Sequence, residues 1–167
     1  MARNETDALP AGIASGRSVA FGEFHLERVF AAPLARVWQA LTEHEAKARW
    51  FAGTAGSWQV LERQMEVRVG GRERLKGRWE SGLVTTFDAI YQDVVPNERL
   101  VYCYQMFLDE RKISVSLATL QLGPADRGTR LKVTEQGAFL EGLDDAGSRE
   151  HGTAKLLDAL GASLTEL

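Results

Sequence analysis

The hydrophobic and polar positions of this chain change period three times along its length. Residues 22 to 31, GEFHLERVFA, alternate, with Phe24, Leu26 and, after a shift, Val29 on one side. That pattern predicts a strand with one buried face. Pro33 ends the strand and suits a helical first turn, and Leu34, Val37, Trp38 and Leu41 recur at spacings of three and four. They predict a short amphipathic helix packed on the core. A second short helix is predicted across Glu43 to Phe51, which is rich in Ala, Glu, Lys and Arg and is followed by Gly53 and Gly56. Its end brings Trp50 and Phe51 together, either lining a pocket mouth or forming a lid on the core.

From Trp58 to Glu135 the period becomes two. The apolar runs are Met65, Val67, Val69; Phe87, Ala89, Tyr91; Leu100, Tyr102, Tyr104, Met106; Ala118, Leu120, Leu122; and Leu131, Val133. Turn chemistry separates them at Gly70-Gly71, Ser81-Gly82, Pro96-Asn97 and Gly123 to Gly128. With no helical pattern between them, consecutive strands should pair as antiparallel hairpins. Arg68, Asp88, Gln92, Lys132 and Thr134 fall on the other face, so one side of the sheet is expected to be wet and the dry side needs a cover.

The C-terminal segment supplies that cover through Leu156, Leu157, Leu160 and Leu164. With Leu156 at zero, the wheel puts Leu160 at about 40°, Leu164 at about 80°, Thr153 at about 60° and Arg149 at about 20°. The stripe therefore turns polar toward the helix start, and Gly152 at its edge should allow close approach to the sheet. A buried Arg149 needs a carboxylate, for which Glu135 and Glu73 are the available strand partners. His151 falls at about 220°, facing away. Asp144-Asp145 reads as a helix N-cap doublet. The predicted class is α+β: a curved antiparallel sheet with two short helices and a long C-terminal helix over its dry face.

Composition narrows the function. A chain of 167 residues with 44% hydrophobic content can bury one core, so one domain over 21–167 is expected behind a loosely ordered tail over 1–20. The 20 basic and 23 acidic residues are interspersed, giving a net charge of -3. That argues against nucleic acid or an anionic membrane as partner. No stretch is apolar enough for a signal peptide or a membrane span, which makes the cytoplasm the expected location. Cys103 is the lone cysteine and reads as a small buried or back-face residue. Three scattered histidines make a metal site improbable. Elbow, phosphate-loop and dinucleotide motifs are missing, so no catalytic residue and no cofactor is expected.

The segments HLERVFAAPLARVWQALTEHEAKARWF, MEVRVGGRERLKGRW, IYQDVVPNERLVYCYQM and GTRLKVTEQGAFLEGLDDAGSREHGTAKLLDAL together resemble the START-like SRPBCC superfamily, also called birch-pollen-allergen-like. They are most similar to its bacterial branch, which resembles the C-terminal domain of activators of the heat-shock protein 90 ATPase. Trp50, Gly70-Gly71 and the Arg149 to Thr153 run match that branch. The resemblance implies a helix-grip fold of about seven strands, with the long helix gripped by the sheet around a cavity. It also implies binding of a small hydrophobic molecule, lipid-like or aromatic. The expected lining is Trp50, Phe51, Trp58, Met65, Phe87, Tyr91, Tyr102, Tyr104 and Met106, with Arg149, Glu150 and Thr153 as the polar end. A binder is favoured over an enzyme. The alternatives are a polyketide cyclase or aromatase using Arg149, Glu150 or His151, and a module that contacts a chaperone. Exposed strand edges would also allow a homodimer.

Overall fold

A computed structural model describes residues 17–165. The elements are β1 (Val19–Phe30), α1 (Leu34–Thr42), α2 (His44–Ala48), β2 (Trp58–Met65), β3 (Arg72–Trp79), β4 (Val84–Val95), β5 (Arg99–Leu108), β6 (Arg111–Ala125), β7 (Gly128–Leu140) and α3 (Ala146–Thr165). The strands form one antiparallel sheet in the order β1-β7-β6-β5-β4-β3-β2, so the α+β helix-grip expectation holds. Most of the expected N-terminal tail lies outside the described residues. Its inner boundary moves, because β1 already begins at Val19 and pairs there with Leu140.

Alternation fixes which face is inside. In β7, Leu131, Val133 and Glu135 are buried while Arg130 and Lys132 are exposed. Register shifts at Val60/Glu62, Tyr91/Asp93 and Met106/Phe107 help the sheet curve around its contents. Val37, Ala40 and Leu41 of α1 join Leu100, Leu120, Leu131, Leu157 and Leu160 in one core. In α3, Leu157, Leu160 and Ser163 are the buried positions and Leu156 is only half-buried. The stripe is thus rotated by about one residue from the leucine pattern. Close backbone approach by α3 is to β1 and to α1, at one edge of the sheet.

The structure corrects three local expectations. The strand through Met65, Val67 and Val69 ends at Met65; Val69 is exposed, and Gly70, at φ +80, turns the chain so that its N–H donates to the Tyr91 carbonyl at 2.8 Å. Gly152 is exposed with open space around it, whereas Gly161 is the helical glycine that lies against the sheet side, where a Cβ would sit 3.2 Å from the Phe30 ring. The third is Val29, which is exposed while Phe30 is buried, because β1 pairs with β7 without the expected shift. β3 carries no run of apolar residues. Its inward positions are Glu73, Leu75, Gly77 and Trp79, so a carboxylate and a bare backbone interrupt the alternation.

Gly77 is bare because Trp58 lies across it. A Cβ there would fall 1.9 Å from Trp58 Cε2 and 2.0 Å from Cζ2. Gly77→Val is therefore expected to destabilise the fold by about 1–3 kcal/mol through overpacking. Urea unfolding should show the loss, and adding Trp58→Ala should return part of it. Equal losses with and without the indole would mean that the ring is not the cause.

Candidate functional site

Strand parity and the short α2 helix converge on a polar and aromatic cluster over the concave face. Glu73 on β3 and Glu135 on β7 are 3% and 4% exposed. Both stand at positions where an ordinary core would carry Val or Leu. The Lys47 ammonium, itself buried, donates to Glu73 Oε2 at 2.8 Å, and the Tyr91 hydroxyl donates to the same oxygen. Lys47 also lies 4.7 Å from the centre of the Phe51 ring. The ammonium is thereby matched by one carboxylate and by two aromatic faces, Phe51 and, at 6.0 Å, Trp50.

On the other side Arg149 reaches in from the first turn of α3. Its guanidinium donates to Tyr104 Oη at 2.8 Å, to Ser114 Oγ at 2.9 Å and to Asp144, and stands 3.9 Å from Glu135. The Tyr104 hydroxyl in turn donates to Glu135. The expected partners of Arg149 thus divide: Glu135 is beside it, while Glu73 belongs to Lys47. The acidic doublet divides as well. Asp145 caps α3, its Oδ1 accepting from the Ser148 N–H at 2.8 Å, and Asp144 turns inward to Arg149.

Rings join the two ion pairs. Trp50 contacts Phe51 at 5.6 Å between centroids, Phe51 contacts Phe87 at 5.1 Å, and Phe87 contacts Tyr104 at 4.9 Å. Tyr102 lies 5.7 Å from Tyr91 and 5.9 Å from Tyr104. Six of the expected lining residues therefore form one cluster, with Arg149 over the Tyr104 ring at 5.5 Å. Trp50 is core, its indole N–H donating to the Ala40 carbonyl at 2.8 Å. Trp58 sits apart beside Trp79. Met65, Met106, Glu150 and Thr153 are half-buried, and His151 is exposed. Of the three residues expected in a cyclase, Arg149 alone joins the cluster.

Burial dominates the electrostatics. It drives the hydroxyls of Tyr91, Tyr102 and Tyr104 above the ordinary tyrosine range, and the neighbouring glutamates push further in the same direction. Burial also raises the Glu135 carboxyl above its ordinary 4.5, against the opposing Tyr104 hydrogen bond and Arg149 charge. Folding therefore favours protonated Glu135. Its contribution is complete below the ordinary value and is lost as pH rises through the higher folded value. Glu135→Gln, fixed in the neutral form, should flatten the fall of stability with rising pH above 4.5. Urea midpoints measured across that range check this, and an unchanged slope would contradict it.

Among the described residues no group of three or more His, Cys, Asp or Glu is arranged to hold a metal ion. Sequence reasoning passed over Lys47, Ser114, Ser116 and the inward role of Asp144. The two serines share strand parity with Ala118 and Leu120, which marks them as inward. Lys47 gives no such sign, because a five-residue helix is too short for a wheel.

The outer face also differs from expectation. Polar residues share it with Phe21, Ile90, Val115 and Leu117, which are 80%, 48%, 43% and 37% exposed. Phe21, Val115, Leu117 and Ala138 line an open groove of about 610 Å³ beside Cys103, the exposed thiol.

The model of the family described as Activator of Hsp90 ATPase homolog 1-like protein matches residues 31–165. An uncharacterized protein from Rhizobium leguminosarum is 41% identical with a TM-score of 0.84, the match covering 89% of this chain and 97% of that one. A protein from Rhizobium loti is 38% identical with a TM-score of 0.79, over 87% and 99% of the two chains. The solution structure of an AHSA1-like protein from Aeromonas hydrophila shares the fold at 19% identity and a TM-score of 0.66, over 86% and 92%. No curated protein matches the chain.

Proposed function

We propose, from the premise that this chain belongs to the Activator of Hsp90 ATPase homolog 1-like family, that it binds a small hydrophobic molecule, lipid-like or aromatic, between the concave face and α3. One observation carries the reading. Tyr102 and Met106 stand on the inner face of β5, in the middle of the sheet, yet stay half-buried, while α3 makes its close approach at β1 and α1. Inward side chains left partly uncovered, ringed by aromatics and flanked by two compensated ion pairs, fit the mostly apolar pocket with few polar groups that small ligands use. We assign the chain a binding role rather than a catalytic one, with Trp50, Phe51, Phe87, Tyr91, Tyr102, Tyr104 and Met106 as the apolar body of the site. Trp58 and Met65 extend it, and Arg149, Glu150 and Thr153 form its polar end. No described helix is long and apolar enough to cross a membrane, and a cytoplasmic location is part of the same reading. Thermal unfolding against a panel of fatty acids, sterols and polycyclic aromatics tests it. At least one class should raise the melting temperature of the protein and fail to raise that of Phe87→Ala. A panel with no shift counts against the reading.

A second reading, contact with a chaperone, draws on the outer groove, where Phe21 is 80% exposed. It predicts that the purified protein changes the ATPase rate of a purified Hsp90-type chaperone and that Phe21→Ser abolishes the change. An unaltered rate with the intact protein removes this reading.

A further inference from the structure

We infer that the concave site selects an uncharged ligand, one with an aromatic or polycyclic body and a carbonyl or ether oxygen that accepts hydrogen bonds from Tyr102 and Ser116. The inference rests on the reading that the concave face holds a ligand, and it names the chemistry of that ligand.

The first ground is charge. Three cations serve the site: Lys47, Arg149 and Arg63, whose guanidinium donates to the Phe51 carbonyl at 2.8 Å. Three carboxylates face them, Glu73, Glu135 and Asp144. The formal sum is zero, and half-buried Glu150 adds negative charge at the helix end. Lys47 and Arg149 are already ion-paired, and Arg63 is held by the Phe51 carbonyl with Glu73 as its nearby acid, so a ligand carboxylate would have to draw a cation away from its present partner or enter unpaired, at a large desolvation cost. A ligand ammonium would need a carboxylate already engaged by Lys47 or Arg149.

The second ground is a pair of unspent hydroxyls. Ser116 is 3% exposed, and its Oγ has no hydrogen-bond partner among the described residues. The hydroxyls of Tyr91 and Tyr104 are both committed to glutamates. The Tyr102 hydroxyl, between them, has no hydrogen-bond partner among the described residues, unlike those of Tyr91 and Tyr104. Tyr102 pairs with Ala118 and Tyr104 with Ser116 in the β5–β6 register, so Tyr102 and Ser116 are diagonal neighbours on the same face. Diagonal neighbours are within reach of one molecule lying across a long aromatic side chain. A neutral hydroxyl left unpaired in a low-dielectric site is costly, and a ligand oxygen that accepts from it removes that cost. The Phe51, Phe87 and Tyr104 rings beside it supply flat apolar surface for the rest of the molecule.

Calorimetric titration with matched probes tests this. The probes are the methyl ketone, the carboxylate and the ethyl derivative of naphthalene and of phenanthrene. In at least one of the two ring series, the ketone should bind ten times or more tighter than both the carboxylate and the ethyl compound. Tyr102→Phe and Ser116→Ala should each weaken the ketone about tenfold and leave the ethyl compound unchanged. A carboxylate or ethyl compound that binds as well as its ketone, or a ketone indifferent to both substitutions, overturns the inference and leaves the binding reading standing. If none of the six probes binds, the inference falls, and the fatty-acid and sterol arms of the thermal panel decide the binding reading on their own.

Discussion

Glu73→Ala should destabilise the protein by about 3–5 kcal/mol, because it strands a buried ammonium. The side chains of Lys47 and Glu73 are 6% and 4% exposed, and the two groups meet at 2.8 Å. Without the carboxylate, Lys47 retains the Phe51 ring as a partner, which offsets only part of the cost. Tyr91 also loses the acceptor of its hydroxyl. The double change Lys47→Met with Glu73→Leu should be less damaging than either single change, since a well-packed apolar pair removes both desolvation costs. Urea midpoints at constant slope measure all three. Additive losses in the double variant would show that the pair is not coupled.

Arg149→Leu should cost a similar amount, about 3–5 kcal/mol, for the opposite reason: it strands carboxylates. One guanidinium serves Tyr104, Ser114 and Asp144 at once and stands beside Glu135, thereby tying the first turn of α3 to β5, β6 and β7. Burial works to weaken this cation, and the Tyr104 and Asp144 contacts outweigh it. Arg149→Lys should recover little, because a compact ammonium cannot reproduce a planar fork with several directed donors. Beyond the lost stability, amide exchange should accelerate in the first turns of α3 more than in its latter half around Leu157 and Leu160. Uniform acceleration along the helix would place the role of Arg149 in general packing.

How far the sequence revealed these features follows from how each is encoded. Period-two alternation exposed β4 to β7 because each carries a run of two to four inward apolar residues. It missed β3, where Glu73 and Gly77 replace apolar residues for reasons that lie elsewhere in the chain: a lysine on α2 and an indole on β2. The helical wheel placed Arg149 correctly, because inward positions recur every three or four residues over a helix of 20 residues. It misjudged Gly152 and the centre of the leucine stripe, since a rotation of one residue changes the register without breaking the pattern. The inward aromatic residues of β4 and β5 were legible from strand parity, and so were the two inward glutamates once parity was known. The division of acid partners between Lys47 and Arg149 was not. It depends on where a five-residue helix lands over the sheet, and that is a tertiary fact.

The central claim is that small molecules enter the concave face and not the outer groove, and two reporters already in the chain separate these faces. Met106 stands on the inner side of β5, and Cys103, the single cysteine, is exposed on the outer side next to Val115 and Leu117. Protein with ¹³C-methyl methionine and a fluorinated tag on Cys103 can be titrated with the naphthalene and phenanthrene methyl ketones and followed by NMR. A saturable one-to-one shift of the Met106 methyl with an unmoved fluorine signal is the predicted result. A fluorine shift with Met106 unmoved would contradict the account and move the binding surface to the outer face.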